Sequence, residues 1–385
     1  MKVWIQTPFD NLPCEGFRKQ RYWLMAQAFA AAGHDVTYFT TDFNHGTKRC
    51  RVVSSGPLDG VDVRLVATPR YFKNVSLRRI LSHVVYARRL GRAMAALPPP
   101  DVVVSASPTL GAAMTAMRVA RRAGAKFVVD VQDAWPETFY RLLPRGLSWL
   151  GSVFLAGMHR TAKRLYREAD FVTGVCERYR GIVGRPDYSV AYLGIEDPGS
   201  ASMEERRRGA IVYAGNLGEG YDLETVIAAV ERDAGLSLDV AGSGPREQYL
   251  RRRASRLVDE GRVRFHGYLP EAGLKSLLAT CSAGVIPMRD DSWVGIPNKL
   301  FDYLASGLPT VTTLHGECGR LVEEERVGFT CDFGNVDSML AALRRVMNGE
   351  VQRRVKLPPR LSAACIYPEY VRKVELLLEG GIARS

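Results

Sequence analysis

The sequence is most informative between residues 295 and 311, where it reads Gly295-Ile-Pro-Asn-Lys-Leu-Phe-Asp-Tyr-Leu-Ala-Ser-Gly-Leu-Pro-Thr-Val311. Pro297 and Asn298 are typical of a helix start, where free backbone N–H groups and the helix dipole attract an anion, and Lys299 adds a positive charge. Asp302 follows within one turn and could accept hydrogen bonds from sugar hydroxyls. Gly307 then ends the helix before a buried strand. The segment predicts a site for a diphosphate and a ribose, although an ordinary amphipathic helix would also fit.

This segment resembles the signature of glycosyltransferase family 4, a family of retaining nucleotide-sugar transferases with the two-domain GT-B fold. The family pattern is Glu-x7-Glu followed by Ala-x-Gly-x-Pro-Val. Asp302 matches the second acid, whereas Val294 stands where the first acid is expected. The remaining matches are Ala305, Gly307, Pro309 and Val311. A bacterial surface-polysaccharide branch, similar to the N-acetyl-fucosaminyl transferases of O-antigen synthesis, reads Pro-Ser/Asn-Lys-Leu-Tyr/Phe-Glu-Tyr-x-Ala-x-Gly-x-Pro, and the chain follows this version closely.

The resemblance implies an α/β protein of the GT-B fold, with two Rossmann-like domains facing across a cleft that binds the donor. It implies retaining transfer of a sugar from a nucleotide-diphosphate donor, a UDP-sugar, to a glycan or lipid-linked acceptor in bacterial surface polysaccharide assembly. Glycosylation of a small natural product is an alternative. A catalytically silent sugar-binding homologue is another, because Asn216 and Val294 depart from the commoner pattern. A nicotinamide-dependent oxidoreductase is disfavoured, since Pro8 and Pro13 follow the first strand in place of Gly-x-Gly-x-x-Gly.

The alternation of apolar runs and helical patterns predicts two doubly wound parallel sheets. Seven strand-like runs occur before the middle of the chain and six after it. We expect an acceptor-binding domain over residues 1–198 and a donor-binding domain over residues 199–365. A C-terminal helix over residues 366–385 should pack back on the first domain. The charged and Pro-, Gly- and Ser-containing stretch 197–208 is the predicted linker.

Composition and cysteine use indicate a globular cytoplasmic protein. The chain has 385 residues, of which 46% are hydrophobic, enough for two cores of ordinary size. Its seven cysteines are scattered without a Cys-x-x-Cys pair, so the sequence predicts neither a disulfide framework nor a zinc site. No apolar run approaches the ~20 residues that a membrane span needs.

The net charge of +12 is concentrated in the first half of the chain. Residues 1–200 contain 28 Lys and Arg against 16 Asp and Glu, whereas the remainder contains 25 of each kind. An excess of this size suggests an anionic partner, and we expect the anionic inner face of the cell membrane or a phosphorylated acceptor instead of nucleic acid. Solvated helix faces would explain the same excess without any partner.

A glycine-rich turn follows the first predicted strand of the second domain. Gly215 and Asn216 begin it, and Gly218 and Gly220 continue it. Glycines at such a turn would let the backbone approach a phosphate closely. Family members usually carry an Arg and a Lys here, and both are absent from this chain.

Two further turns match blocks of the family in order. The resemblance implies that Gly244, in a Gly-x-Gly turn, borders the donor phosphates. It also implies that the backbone of Gly267, Tyr268 and Leu269 holds the nucleotide base. The neighbouring His266 is more readily explained as a packed histidine than as a ligand-binding one.

Two segments of the first domain complete the predicted site. Asp130 and Asp133 follow a buried strand, and Asp133 is predicted to orient the sugar and acceptor. The resemblance implies that a loop after the first strand lies over the donor diphosphate. In this chain that loop contains Gly16, Phe17 and Arg18.

The predicted chemistry needs neither a metal nor an enzymic nucleophile. Oriented N–H groups together with Lys299 and Arg246 could stabilise the leaving diphosphate, and Asp133 completes the predicted catalytic set. The sequence lacks Asp-x-Asp, and the adjacent pair Asp290 and Asp291 is better explained as a solvated turn.

Overall fold

The computed structural model describes residues 1–142, 151, 155–197, 206–289 and 294–380. The chain divides into two compact units, the first comprising Met1–Leu193 with Cys365–Ser385 and the second comprising Gly194–Ala364. The division lies before the predicted boundary at residue 198 because Ile195 hydrogen-bonds through its backbone to Leu361 and Ala363 of the second unit. Most of the predicted linker, together with Asp290 and Asp291, lies outside the described residues.

The first unit is built on a mainly parallel sheet. Its strands are β1 (Lys2–Gln6), β2 (Asp35–Thr41), β3 (Phe43–Asn44), β4 (Arg49–Cys50), β5 (Gly56–Leu58), β6 (Val61–Val66), β7 (Val102–Ala106), β8 (Lys126–Val131), β9 (Phe171–Gly174) and β10 (Ser189–Val190). Eight of them form one sheet in the order β10-β9-β8-β7-β1-β2-β6-β5, in which only β5 runs antiparallel to its neighbour. β3 and β4 form a separate antiparallel pair. The seven predicted strands are all present, and the three additional ones are too short to show a sequence pattern.

Helices cover this sheet. They are α1 (Arg21–Ala31), α2 (Leu77–Ala95), α3 (Leu110–Arg122), α4 (Ala156–Glu168) and α5 (Arg180–Val183), with short 3-10 helices at Pro13–Glu15, Glu137–Leu142 and Glu177–Tyr179. The central strands β1, β7 and β8 are buried on both faces, as is typical of a parallel sheet between two helix layers.

The second unit contains a six-stranded sheet that is parallel throughout. Its strands are β11 (Ala210–Ala214), β12 (Ser237–Ala241), β13 (Val263–Gly267), β14 (Ala283–Ile286), β15 (Thr310–Thr312) and β16 (Gly328–Thr330). Their order is β13-β12-β11-β14-β15-β16. The helices are α6 (Leu223–Arg232), α7 (Glu247–Arg253), α8 (Ser255–Asp259), α9 (Glu271–Thr280), α10 (Asn298–Ala305), α11 (Glu317–Glu324) and α12 (Val336–Met347), with a 3-10 helix at Pro359–Leu361. All six predicted strands are confirmed.

The last helix, α13 (Ala363–Leu378), packs against the first unit from Cys365 onwards. The Tyr370 ring meets the Phe29 ring of α1 edge to face with centroids 6.2 Å apart. Glu375 lies 2.9 Å from His34, and Tyr367 donates a hydrogen bond to the backbone carbonyl of Leu193. Among the described residues, no helix is long and apolar enough to cross a membrane.

Candidate active site

The strand order of the second sheet creates a crevice at its carboxyl edge. β11 lies between β12 and β14, and both pairs are parallel. The chain therefore winds in opposite directions on either side of β11. Loops that leave two such strands at their carboxyl ends separate from each other, which makes this the usual ligand position in a doubly wound sheet. The loop after β11 begins at Gly215, and the loop after β14 leads to the first turn of α10.

Lys299 lies in that first turn and packs against the loop after β11. Its ammonium nitrogen is 4.2 Å from the centre of the Tyr221 ring and 4.8 Å from the centre of the Tyr213 ring. A Cβ atom on Gly215 would lie only 2.3 Å from this nitrogen, so the absence of a side chain at Gly215 makes room for the ammonium. We call this group of Tyr213, Gly215, Tyr221 and Lys299 the lysine cage.

Burial has left the ammonium of the lysine cage poorly solvated. Lys299 is only 8% exposed, and this burial lowers its pKa to about 8, while the nearby carboxylate of Asp302 acts in the opposite direction. The tyrosine faces offset part of the lost hydration through cation–π attraction. Across residues 206–289 and 294–364, no carboxylate forms an ion pair with this ammonium. A buried cation of this kind favours an anionic ligand.

The turn after β12 packs directly on the turn after β11. A Cβ atom on Gly242 would lie 1.9 Å from the carbonyl oxygen of Gly215, and one on Gly244 would lie 2.5 Å from the carbonyl oxygen of Leu217. The backbone N–H of Leu217 donates to the carbonyl of Ser243 over 3.0 Å. The space beside Gly215, which the glycine-rich turn predicts for a ligand, is occupied in the structure by Lys299 and the neighbouring turn.

The remaining predicted residues of α10 and of the first turn surround the lysine cage. Tyr213 donates to the backbone carbonyl of Asn216 over 2.6 Å, and the Asn216 side chain is exposed. Pro297 precedes α10 without a side-chain cap, so the first N–H groups of the helix are available to an anion. Asn298 is exposed, and Asp302 is half-buried one turn further along α10.

Arg246 lies at the start of α7, but its charge already has protein partners. Its guanidinium donates to the Glu224 carboxylate over 2.9 Å and lies 5.0 Å from the centre of the Tyr249 ring. Glu219 approaches it to 3.7 Å. The structure thus places Arg246 in an ion-pair network beside the first turn, and its role toward phosphate stays a prediction.

His266 and Gly267 end β13, Tyr268 and Leu269 follow it, and their side chains differ in exposure. His266 lies 2.7 Å from the buried carboxylate of Asp239, and its side chain is 30% exposed. Gly267 has a positive φ of 65° and accepts a backbone hydrogen bond from the turn after β12. Tyr268 is 72% exposed and Leu269 is half-buried, so both lie at the surface of the carboxyl edge.

In the first unit, the carboxylates of Asp130, within β8, and Asp133, just after it, have different environments. Asp130 is fully buried and forms a two-pronged ion pair with Arg21, both contacts measuring 2.7 Å. Asp133 is accessible to solvent, yet the protein atoms around it reduce its hydration and raise the pKa of its carboxyl, while Arg79 acts in the opposite direction. Asp130 therefore has a structural role, and Asp133 is the carboxylate available to a ligand.

The loop after β1 is held in place by a buried arginine. The Arg51 guanidinium pairs with Glu15 and donates to the carbonyl of Asp10. Gly16, with a φ of 75°, ends the 3-10 helix at Pro13–Glu15. Phe17 lines a cavity of about 590 Å³ next to this loop, and the following Arg18 is half-buried.

Sequence reasoning missed an aromatic and cationic cluster at the carboxyl edge of the first sheet. The guanidinium carbon of Arg79 lies 5.6 Å from the centre of the Phe9 ring, 6.0 Å from that of Tyr71 and 5.9 Å from that of Trp135. The His83 ring packs between Phe9 and Trp135, at 5.5 and 6.1 Å. These residues come from four separate segments, so no local sequence signal joins them.

Comparisons with known proteins agree with this architecture. A crystal structure of Anabaena HepE in complex with UDP is similar over 97% of this chain and 100% of its own, with a TM-score of 0.68 and 14% sequence identity. Glycogen synthase of Mycobacterium tuberculosis is 24% identical over 227 residues, 55% of this chain and 54% of its own length. A protein described as a colanic acid biosynthesis glycosyltransferase, WcaL of Escherichia coli K12, is 29% identical over 126 residues, 31% of each chain. The chain thus spans about half the length, or less, of the curated relatives that it matches.

The two parallel-sheet units define the chain as a GT-B protein, which confirms the predicted fold class. The sequence model for the glycosyl transferase 4-like domain matches residues 20–188, and the model for glycosyl transferases group 1 matches residues 208–349. The chain belongs to the glycosyltransferase family that these two models describe.

Proposed function

We propose that the chain is a retaining glycosyltransferase that transfers a sugar from a UDP-sugar to a glycan or lipid-linked acceptor during bacterial surface polysaccharide assembly. One observation carries the proposal: the buried ammonium of Lys299 in the lysine cage lies at the switch point of the donor-domain sheet. A diphosphate at this position would meet both that ammonium and the first N–H groups of α10.

This arrangement suits departure of a nucleoside diphosphate. As the bond between the anomeric carbon and the β-phosphate oxygen breaks, negative charge grows on the phosphate, and Lys299 would stabilise it. The acceptor hydroxyl oxygen bonds to the anomeric carbon on the same face, and the departing phosphate oxygen takes the hydroxyl proton. Asp133 would orient the hydroxyls of the sugar or acceptor. Because the lysine cage supplies the charge, the proposed reaction proceeds without a divalent metal.

The relatives support the proposed substrates without establishing them. The HepE structure contains UDP, and WcaL is described as acting in the biosynthesis of colanic acid. The choice of UDP as the nucleotide and of a surface polysaccharide as the product follows from these similarities and from the sequence resemblance.

The proposal is tested by incubating the full chain with a panel of nucleotide sugars in buffer containing EDTA. Release of nucleotide and NMR of the anomeric proton of the product measure turnover and stereochemistry. We expect turnover with at least one UDP-sugar and retention of the anomeric configuration. Inversion would contradict the proposed mechanism. Donor binding without turnover, across a panel of glycan and natural-product acceptors, would favour the silent homologue.

Replacing Asp302 by asparagine is expected to weaken binding of the UDP donor by roughly tenfold, since an amide oxygen accepts hydrogen bonds from ribose hydroxyls less strongly than a carboxylate. Titration calorimetry with UDP measures the change, and Asp302→Glu should retain more affinity. Unchanged affinity in Asp302→Asn would remove the ribose role from this residue.

Binding of UDP is expected to weaken as the pH rises through about 8, the pKa to which burial lowers Lys299. The ammonium is charged below this pKa, and a bound diphosphate stabilises only the charged form. The affinity should therefore fall roughly fivefold to tenfold between about pH 7.5 and about pH 9. In Lys299→Met this part of the pH profile should be absent. A wild-type profile that Lys299→Met leaves unaltered would show that another group titrates.

A further inference from the structure

A groove runs over the first unit between α2 and α4, above the start of α3, with a volume of about 810 Å³. Ile80 and Val84 of α2 line one side and Met158 of α4 lines the other, while Gly111 at the start of α3 adds no bulk. The lining is predominantly apolar. Ile80 and Val84 are 61% and 41% exposed, which is unusual for apolar residues on one helix face and marks a binding surface.

One end of this groove is positively charged. Arg79, His83 and Trp135 line it together with Asn74. Asn74 fixes two cations there: its backbone carbonyl accepts from Arg79 and its side-chain oxygen accepts from Lys48, both over 2.7 Å. Over residues 1–142 and 155–193, neither cation forms an ion pair with a carboxylate. Burial, aided by Arg79, lowers the pKa of His83 to about 4, so its imidazole is neutral near pH 7 and can hydrogen-bond without adding charge.

The charged end of the groove adjoins the predicted reacting residues of this unit. Arg79 is close enough to Asp133 to influence the pKa of its carboxyl. Trp135 lies two residues after Asp133, and Leu110, which lines the groove, follows the loop after β7. In this sheet β1 lies between β7 and β2, so the loops after β1 and β7 flank its switch point. A molecule in the groove would extend from this reactive edge along an apolar surface.

We propose that the groove holds the hydrocarbon chain of a single-chain lipid phosphate, with its phosphate at Arg79 and Lys48. The inference rests on the proposed function and deepens it, because it assigns the acceptor to the class of lipid-linked phosphates or diphosphates. Charge complementarity favours this occupant. The apolar wall suits a hydrocarbon chain, and Arg79 at one end, with Lys48 held beside the groove by Asn74, suits an anionic head group. An aromatic ring beside them suits the sugar that such a lipid would carry.

The probe is farnesyl phosphate, used as monomers and titrated into the full chain, with farnesol and inorganic phosphate as separate ligands. Quenching of tryptophan fluorescence reports binding, since Trp135 lines the charged end. We expect farnesyl phosphate to bind at least tenfold more tightly than either farnesol or phosphate. Equal binding of farnesyl phosphate and farnesol would overturn the assignment of the head group.

Three variants on α2 separate the groove from the rest of the helix. Val84→Glu places a carboxylate in the groove and should lower the affinity for both farnesyl compounds at least tenfold. Arg79→Gln should weaken the binding of farnesyl phosphate but not that of farnesol, so that the two affinities become equal. Leu81→Glu is the matched control, because Leu81 is 52% exposed on the same helix but lies outside the groove lining, and its binding should equal that of the wild type.

Calorimetry with UDP on the same samples measures ligand binding by the second unit independently of the groove. Normal UDP binding in a variant shows that its second unit is folded, and a thermal unfolding transition equal to that of the wild type shows that its first unit is folded as well. Absence of UDP binding in the wild type would overturn the proposed function while leaving the lipid result to be judged by itself. Equal losses of affinity in Val84→Glu and Leu81→Glu would overturn the assignment of the groove as the binding site. So would binding confined to vesicles of anionic phospholipid with none to monomeric farnesyl phosphate, which would assign α2 to a membrane surface.

Discussion

Replacing Lys299 by alanine is expected to lower the rate of sugar transfer by about 30- to 1000-fold, equivalent to a loss of about 2–4 kcal/mol of transition-state stabilisation. The ammonium is 8% exposed, and in the described part of the second unit only ring faces and the nearby Asp302 compensate its charge. It should therefore contribute more to a developing phosphate charge than a solvated lysine would. The measurement is turnover of the UDP-sugar at saturating donor and acceptor.

Lys275→Ala is the control for this variant. Lys275 lies on α9 of the same unit, with 63% of its side chain exposed, and pairs with Glu271 one turn away. Its removal should change stability and transfer little, because an exposed ion pair contributes about 0–1 kcal/mol. If Lys299→Ala transferred the sugar as fast as Lys275→Ala, Lys299 would have no role in the active site.

The sequence predicted the sheets well because parallel strands buried on both faces appear as continuous apolar runs. β7 and β11, for example, are fully buried over all five of their residues, and both were predicted. The two-residue strands β3 and β4 gave no such signal. The observed division after Leu193 lies a few residues before the predicted boundary, since the pairing of Ile195 with Leu361 joins segments that are far apart in sequence.

Prediction of the candidate site was less complete, because spacing indicates which loops meet but not what fills them. The motif at residues 295–311 identified the start of α10 and the charge of Lys299. It could not show that the ammonium fits beside Gly215, since that contact joins residues 84 positions apart whose relation depends on the pairing of β11 with β14. For the same reason the partner of Arg246 was not foreseen, since Glu224 belongs to the preceding helix.

The aromatic and cationic cluster of the first unit illustrates the same limit more strongly. Phe9, Tyr71, Arg79 and Trp135 each have an ordinary local explanation as core or surface residues. Only the order of the strands brings them to one edge of the sheet. The sequence revealed the positive charge of this half but not that two of its cations, Arg79 and Lys48, meet at one end of an apolar groove.

Replacing Gly215 by alanine is expected to reduce sugar transfer by roughly tenfold to a hundredfold, although the substitution leaves Lys299 in the chain. The new Cβ would lie 2.3 Å from the Lys299 nitrogen and 3.0 Å from its Cε, so the ammonium would have to leave the lysine cage. The φ of Gly215 is 140°, a value that alanine rarely adopts. Besides the loss of transfer, we therefore expect the free energy of unfolding to fall by about 1–3 kcal/mol.

Gly220→Ala in the same loop is the control for the effect of a methyl group. A Cβ atom at Gly220 would meet no atom within 4 Å, so transfer and stability should both stay close to those of the wild type. Denaturant titration and turnover measurements on both variants separate damage to the loop from displacement of the ammonium.

The double variant Gly215→Ala/Lys299→Ala distinguishes the two effects of the alanine at position 215. If Gly215 acts on transfer by giving the ammonium its place, adding Gly215→Ala to Lys299→Ala should lower turnover by less than about threefold, because the group that it displaces is already absent. The backbone strain at position 215 does not depend on Lys299, so the loss of stability should persist in the double variant. Losses of turnover that multiply in full would show instead that Gly215 and Lys299 contribute to transfer independently, and the lysine cage would then not be a single functional unit.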